Sequence, residues 1–324
     1  MPSAARQILG ALASLSVTLS IPMKTYTHVV IAIDFTPSCR NALRHAVRLA
    51  SQWGAAITAV HVMDEFLVHE LKRALAADQA TIRAEWLARL TRFVEETDAG
   101  SGHVSMEVRI GSADTELMEA CLVAGADLLI MGARGSREEP HRVGVIAAKC
   151  VRKAPMDVLL VREDAEGPFK HLVTCVDFSE NSKKAVQIAL NFAELEKATL
   201  DCIHVYQSAF MMSMDYGGMA ASMPISADVH ALESWESELS DFVRPLKEKV
   251  PTVTVQTSVI ERVNIREAVL DHVKESHADL VVLGTRGKSG LRELLMGTTA
   301  ERIVAHAPCS VFVIKPFLTE SLSS

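Results

Sequence analysis

Short apolar runs alternate along this chain with longer stretches in which apolar residues recur at helical spacing. This alternation is typical of a parallel β-sheet covered by helices on both faces. In the amino-terminal half we predict strands near 28 to 34, 56 to 63, 104 to 110, 127 to 132 and 157 to 162, and helices near 37 to 53, 66 to 97, 113 to 124 and 143 to 153. In the carboxyl-terminal half we predict strands near 171 to 177, 199 to 206, 252 to 260, 279 to 284 and 310 to 315. The pattern indicates two α/β units, each a doubly wound parallel sheet of five strands with four helices.

The two halves are copies of one another. HVVIAIDF at 28 to 35 matches HLVTCVDF at 171 to 178 with an offset of 143, which pairs Asp34 with Asp177 and His61 with His204. Farther on, GADLLIMGARG matches HADLVVLGTRG with an offset of 152, so the second copy holds nine extra residues, which we assign to the Met- and Gly-rich run 209 to 230. A Gly-Pro pair within 164 to 170 punctuates the junction. We therefore predict domains at 23 to 165 and 166 to 324.

Composition restricts the classes of partner. The 324 residues are 49% apolar and 23% charged, which is typical of a globular protein with buried cores. A net charge of -7 and only 5% aromatic residues argue against nucleic acid as a partner. The six cysteines form no C-x-x-C pair and lie mostly in apolar runs, as expected for reduced, buried thiols in the cytosol.

The amino terminus carries a short apolar run. Residues 8 to 21 follow Arg6 and look a little like the core of a signal peptide, but they contain several Ser and Thr residues and are too short to span a bilayer. Met23 would serve as a start, so we interpret residues 1 to 22 as a disordered extension or as the product of a mis-assigned start. We expect no membrane partner.

A glycine-rich loop follows the fourth strand of the second copy. Gly284, Gly287 and Gly297 lead into a helix that begins near Thr298. Glycines after a strand and the free N–H groups of a helix amino terminus together favour an anion, and Thr298 and Thr299 add hydroxyl donors. Taken singly, each glycine could only turn the chain and Thr298 could only cap the helix. The spacing matches neither a P-loop nor a dinucleotide fingerprint.

These residues resemble the universal stress protein family. The resemblance rests on the spacing of the glycine-rich loop, in which two residues separate Gly284 from Gly287 and nine separate Gly287 from Gly297, which Thr298 follows. It also rests on VDFS at the end of the first strand and HV at the end of the second. The resemblance covers about 26 to 316 and is to the tandem type with two domains in one chain. It implies that the last strands, DVLLV and SVFVI, pair the domains about a pseudo-two-fold axis. Whether the chain also dimerises stays open.

The resemblance also implies a ligand. It predicts an ATP site, with Mg²⁺ as an optional companion, in which Asp177 contacts the ribose or the adenine edge and the main chain at Val205 pairs with adenine. Gly284, Gly287, Gly297 and Thr298 would cradle the phosphates, and Arg286 and Thr299 complete the predicted cofactor-binding set. Members of this family are mostly binding and signalling proteins rather than efficient enzymes.

The first copy departs from that pattern. Only eight residues separate Gly135 from Gly144, the loop contains Glu138 and Glu139, and it ends in Val145 where the second copy has Thr298. The net charge of the two loops is similar, so the altered spacing and the lost hydroxyl weigh more. We expect ATP in the second domain only.

Other candidate chemistry is weaker. Asp34 and Asp177 could instead cap the helices that follow them. His61 and His204 lie within apolar strands, where a packed, hydrogen-bonded histidine is expected rather than a base. The methionines of 211 to 223 could bind copper, but flexible methionines are more often adaptable packing, and we interpret this run as a mobile lid or a partner-facing loop. No catalytic or zinc motif is present in the sequence.

Three hypotheses follow. The first is a cytosolic tandem stress protein that binds ATP in its carboxyl-terminal domain as a regulatory ligand and that acts on an unknown protein partner. The second is a nucleotide-independent interaction protein that uses the 209 to 230 loop to bind a partner or an apolar ligand. Slow ATP hydrolysis is the third, and we do not expect it to be the main role because no base for activating water is evident.

Overall fold

The computed structural model describes residues 25–97, 104–134, 143–208, 226–285 and 296–316. Ten strands of these segments form one sheet. They are β1 His28–Ala32, β2 Ala56–Met63, β3 Val104–Ile110, β4 Leu128–Gly132, β5 Asp157–Val161, β6 His171–Cys175, β7 Thr199–Tyr206, β8 Val255–Glu261, β9 Leu280–Gly284 and β10 Ser310–Ile314.

Helices cover both faces of the sheet. In the described part of the chain they are α1 Pro37–Trp53, α2 Glu65–Leu75, α3 Gln79–Glu96, α4 Ala113–Ala124, α5 Val145–Lys153, α6 Glu180–Glu196, α7 Ser226–Lys247, α8 Ile265–Glu275 and α9 Thr298–His306. One buried apolar cluster lies beneath α1, α3, α6 and α7, and the other lies beneath α4, α5, α8 and α9. Both clusters run through the two halves of the chain. None of the described helices is both long and apolar enough to cross a bilayer.

The strand order confirms the predicted fold class. It runs β3-β2-β1-β4-β5-β10-β9-β6-β7-β8, so each half is a parallel, doubly wound sheet and the second half mirrors the order of the first. The halves meet where β5 and β10 pair antiparallel, with Leu159 opposite Phe312. An order that reads the same from both ends, joined by an antiparallel pair, is what a two-fold relation produces. The prediction that these two strands join the domains is confirmed.

The first half differs from the sequence prediction in its helices. The single helix expected over 66 to 97 is two helices, α2 and α3, so the described part of this half has five helices rather than four. The break lies at Ala76, whose φ of 48° is left-handed. Asp78 then caps α3 by accepting a hydrogen bond from the backbone N–H of Thr81 at 2.8 Å. Neither Gly nor Pro marks the break, so periodicity alone did not reveal it.

Two strands end earlier than expected. β1 and β6 stop at Ala32 and Cys175, two residues before the predicted ends, because the chain turns through Phe35 and Phe178 to reach the caps of α1 and α6. These phenylalanines have φ values of 63° and 61°. A bulky residue in this region is uncommon and marks a backbone held by its surroundings. The same strained turn occurs in both domains.

Candidate functional site

A cleft of about 260 Å³ opens at the carboxyl ends of β6, β7 and β9. This is where ligands bind in doubly wound folds. Its lining includes six of the eight predicted cofactor-binding residues: Asp177, Val205, Gly284, Gly297, Thr298 and Thr299. The other two, Arg286 and Gly287, lie outside the described residues.

Asp177 holds the turn that leads into α6. Its Oδ1 accepts hydrogen bonds from the backbone N–H of Ser179 at 3.0 Å and from the hydroxyl of Ser179 at 2.6 Å. Ser179 is the residue that caps α6, through the N–H of Ser182. The interpretation of Asp177 as the helix cap is therefore wrong, since it fixes the cap rather than being it. Its Oδ2 makes no hydrogen bond with the described residues, and Asp177 lines the cleft.

Asp34 occupies the same position in the first domain. Its Oδ1 accepts from the N–H and hydroxyl of Thr36 at 3.0 and 2.6 Å, and Thr36 caps α1 through the N–H of Cys39. Asp34 is therefore not the cap either. The identical geometry shows that Asp-Phe-(Ser/Thr) is a structural unit that both domains use, so this aspartate by itself does not distinguish a working site from a degenerate one.

The two strand histidines are core residues, as predicted. Nδ1 of His204 donates to the carbonyl of Val176 at 2.7 Å, and Nδ1 of His61 donates to that of Ile33 at 2.8 Å. Burial lowers the pKa of His61, because desolvation disfavours the charged ring. Each ring also packs against the left-handed phenylalanine of its own domain, at centroid distances of 4.6 and 4.7 Å.

Val205 presents main-chain groups to the cleft. The β6–β7 ladder ends at the pair Cys175 and Ile203, and the N–H of Val176 donates to the carbonyl of Ile203 at 2.8 Å. On the other edge, the carbonyl of Tyr206 accepts from Arg262 at 3.1 Å. Because successive residues of a strand direct their hydrogen-bonding groups to alternate edges, Val205 directs its N–H and C=O to the β6 side, beyond the end of that strand. A donor and an acceptor side by side match the edge of a nucleobase.

The amino terminus of α9 forms the opposite wall. Gly297 is its N-cap, with a φ of -61°, and no side chain caps the helix. Thr298 is the first helical residue rather than the cap, so the interpretation of Thr298 as a capping residue is wrong. Thr298 and Thr299 are both exposed, and their hydroxyls make no hydrogen bond with the described residues. Uncapped N–H groups and two hydroxyls at the positive end of a helix dipole favour an anion.

The two described glycines that line the cleft, Gly284 and Gly297, differ in the space around them. A Cβ on Gly284 would lie 3.2 Å from the carbonyl oxygen of Asn181 in α6, which is tighter than an ordinary contact. Gly284 therefore lets α6 approach β9. A Cβ on Gly297 would meet nothing nearer than the carbonyl of Thr285 at 3.6 Å, so the described residues leave space for a side chain there. Neither contact nor backbone angle explains glycine at 297.

The first domain has a smaller cleft at the equivalent place, of about 150 Å³. Val145 begins α5 where Thr298 begins α9, and 63% of its surface is exposed although it is apolar. Arg134, which lines this cleft, lies 3.2 Å from Glu163 and is already paired. Glu138 and Glu139 lie outside the described residues. The described wall of this cleft therefore has apolar side chains where the second domain has hydroxyls.

Sequence reasoning missed the apolar part of the second cleft. Ile265, Val269 and Ile303 line it, together with the buried Thr285, which accepts from the N–H of Gly297 at 2.8 Å. The isoleucines and valine follow helical spacing and looked like ordinary core positions. Their place in the cleft depends on how α8 and α9 meet, which the sequence pattern does not encode.

The remaining candidate chemistry concerns metal ions, the cleft thiol and the methionine run. They contain no group of three or more side chains that could hold a metal ion. Cys175 lines the cleft, and burial, followed by the charge of Asp177, raises its pKa to about 12, so its thiol stays protonated. The methionine run 211 to 223 and most of the predicted 209 to 230 loop lie outside the described residues.

Comparison with known proteins places this geometry in a context. A family model described as the universal stress protein family matches residues 25–162 and again residues 168–315. Universal stress protein E of Escherichia coli K12 is 24% identical over 312 residues, which cover 91% of this chain and 95% of that protein. Universal stress protein E of Salmonella typhi is 24% identical over 314 residues, covering 91% and 96%. A putative universal stress protein structure from Pseudomonas aeruginosa aligns with a TM-score of 0.61 at 17% identity, over 91% of this chain and 95% of that chain.

Proposed function

The chain belongs to the universal stress protein family, in tandem form, and from that premise we propose that its second domain binds ATP as a regulatory ligand in a stress response. One observation carries the proposal. A single cleft brings together the open carboxylate oxygen of Asp177, the outward main-chain groups of Val205 and the uncapped start of α9. These three elements match the three parts of a nucleotide.

Each part of ATP has a counterpart in the cleft. Adenine pairs with the N–H and C=O of Val205 and lies against the apolar side chains of α8 and α9. The ribose lies near Oδ2 of Asp177. The phosphates face the first turn of α9, where backbone N–H groups and the hydroxyls of Thr298 and Thr299 donate to them.

Mg²⁺ would accompany the nucleotide through its phosphates rather than through a protein cage. Asp177 is the only carboxylate among the described lining residues, and a single carboxylate with substrate phosphates is an ordinary way to hold this ion. The two lining side chains that could act as a base already have structural roles, since His204 donates to the carbonyl of Val176 and Asp177 accepts from Ser179, so we propose ligand binding rather than hydrolysis as the role. The six free thiols support a cytosolic location.

The first domain is proposed to be a structural partner without nucleotide. Its cleft is smaller, its arginine is paired with Glu163, and Val145 offers no hydroxyl. A hydrogen bond to a charged group contributes about 1.5 to 3 kcal/mol, which corresponds to roughly a ten- to a hundredfold difference in affinity. One chain should therefore bind one ATP.

Calorimetric titration of the full chain with ATP tests the proposal. We expect a stoichiometry near one and, in Thr298→Val, an affinity lower by about ten- to a hundredfold because one charged hydrogen bond is lost. Val145→Ala, at the matching position of the first domain, should leave the titration unchanged. Two equivalent sites, or a site that survives Thr298→Val and is lost on substitution of Gly132, would show that the wrong domain has been assigned. Purified protein that carries no nucleotide and takes up none would favour the nucleotide-independent alternative.

A further inference from the structure

The same four-ring aromatic cluster occurs in both domains. In the first domain Phe35 lies 5.9 Å from Trp86 and 5.3 Å from Phe93, and His61 lies 4.9 Å from Trp86. The equivalent distances in the second domain, among Phe178, His204, Trp235 and Phe242, are 5.8, 5.5 and 4.9 Å. Both phenylalanine pairs meet at 89°. The ring centroids are thus spaced alike in the two clusters, although Trp86 and Trp235 are tilted differently, at 46° and 18° to their phenylalanines. The surroundings of the two clusters can therefore be compared position by position.

The charges around the two clusters are opposite. Beside the first cluster an open cleft of about 390 Å³ is lined by Arg40, Arg89, Arg92 and Glu96 together with Phe35 and Phe93. The offset of 143 places Lys183 opposite Arg40. Along the helix that carries the tryptophan, the matched pairs Trp86–Trp235 and Phe93–Phe242 set an offset of 149, which places Glu238, Asp241 and Pro245 opposite Arg89, Arg92 and Glu96. Three positive charges and one negative charge in the first domain thus become one positive and two negative charges in the second. In a chain of net charge -7, this concentration of arginine is local and specific to one domain.

Aromatic faces hold two of the arginines in place. The Arg40 guanidinium lies 4.7 Å from the centroid of Phe93, and its NH1 donates to the hydroxyl of Thr97 at 3.2 Å. The Arg89 guanidinium lies 4.2 Å from the centroid of Phe35 and 4.7 Å from that of Trp86. A guanidinium stacked on a ring keeps its N–H donors at its edges, where they can still bind an anion. Because the ring already restricts the arginine side chain, less side-chain entropy is lost when an anion binds.

The described residues do not neutralise these arginines. None of Arg40, Arg89 and Arg92 makes an ion pair with another residue in the described segments, and Glu96 is the single carboxylate lining the cleft. Arg89 and Arg92 are three positions apart on α3, so they lie on one face of it, and Arg40 approaches from α1. Three guanidinium groups that converge on one space repel one another, and an anion between them removes that repulsion.

We propose that this arginine cleft binds a small phosphorylated anion carrying at least two negative charges. Planar guanidinium groups match phosphate oxygens in a bidentate manner, and three of them approaching from two helices suit a ligand with several such oxygens. None of its lining residues also lines the cleft of the first domain. Strands β4, β5 and β10 lie between β1, which leads into Phe35, and the strands of the proposed ATP site. The phosphate groups can come from an inorganic ion or from an organic phosphate.

Calorimetric titration with inorganic pyrophosphate tests the proposal. The full chain should carry Thr298→Val throughout, so that the second-domain cleft contributes less. Against that background, Arg89→Gln with Arg92→Gln should weaken pyrophosphate binding by about tenfold or more, because two charged donors are lost. The matched control, Glu238→Gln with Asp241→Gln, changes two charges at the equivalent face of the second domain and should leave binding unchanged. Glutamine keeps a polar, uncharged side chain at these exposed helix positions, and circular dichroism checks that each variant is folded.

The outcomes are distinct. Equal affinity before and after the arginine substitutions, an equal response in the control variant, or no uptake of pyrophosphate by the parent chain would each overturn the proposal. A parallel titration with ADP, read as the part of the binding that Arg89→Gln with Arg92→Gln removes, separates the sources: if that part is tighter than for pyrophosphate it supports an organic phosphate, and if it is weaker it supports the inorganic ion. ATP binding that survives the arginine substitutions in the chain with Thr298 intact shows that this site and the proposed nucleotide site stand or fall independently.

Discussion

At the scale of single residues, the glycines of the second cleft separate a packing role from a ligand role. Gly284→Val should destabilise the fold by about 1 to 3 kcal/mol, because its side chain would press on the backbone of Asn181 and force α6 away from β9. Gly297→Val should abolish ATP binding while changing the free energy of unfolding by less than about 1 kcal/mol, since the backbone angle suits any residue and nearby protein atoms leave space. Urea denaturation and calorimetry with ATP measure the two effects. Unchanged ATP affinity in Gly297→Val would remove this glycine from the phosphate site.

The paired phenylalanines show how a residue constrains its neighbours. Phe35 and Phe178 adopt left-handed angles that cost free energy in a bulky residue, and the surrounding rings offset that cost in both domains. The turn places the aspartate before it and the helix cap after it. In the second domain this strained turn therefore fixes the orientation of Asp177 at the cleft.

At the scale of elements, the break between α2 and α3 rests on a left-handed alanine. Ala76 is exposed and has a φ of 48°, a conformation that costs an L-residue about 1 to 2 kcal/mol. Ala76→Gly should therefore stabilise the protein by about 0.5 kcal/mol, after allowing for the greater freedom of glycine in the unfolded chain. Ala77→Gly is the matched control and should destabilise, because Ala77 does not have a positive φ and packs on the core. Thermal unfolding measures both variants, and equal shifts would contradict the role given to Ala76.

At the scale of the whole molecule, two of the ion pairs among the described residues cross between the domains, and their surroundings differ greatly. Glu196 is fully buried at its side chain, pairs with Arg48 and accepts from the N–H of Phe169 at 2.8 Å. Arg152 and Glu301, 3.0 Å apart, are both about half exposed. Removing one member of a buried pair leaves an uncompensated charge, whereas an exposed pair contributes little.

Arg48→Ala and Arg152→Ala measure this difference. The first should lower the free energy of unfolding by about 3 kcal/mol, at the lower end for buried pairs because Arg48 itself is partly exposed. The second should change it by less than about 1 kcal/mol. Urea denaturation monitored by fluorescence and by circular dichroism gives both values. Equal losses in the two variants would mean that burial of Glu196 is not what stabilises the domain interface.

The sequence by itself determined the repeat, the succession of strands and helices in most of each half, and the end of the second sheet at which the cleft opens. These follow from local periodicity and from glycine spacing, and the carboxyl ends of parallel strands must lie together once the sheet is known. The prediction that β5 and β10 join the halves also followed from the family resemblance and was confirmed.

Tertiary structure alone decided the features that depend on residues distant in the chain. Gly284 is glycine because α6, about a hundred residues earlier, crosses it, and the arginine cleft exists because α1 and α3 present their side chains to one space. The main-chain groups of Val205 are unpaired on the β6 side because β6 ends before it. Glu196 pairs with Arg48 only because the sheets of the two halves join into one. Periodicity records which face of an element is buried, but not which element covers it, so contacts of this kind require the folded molecule.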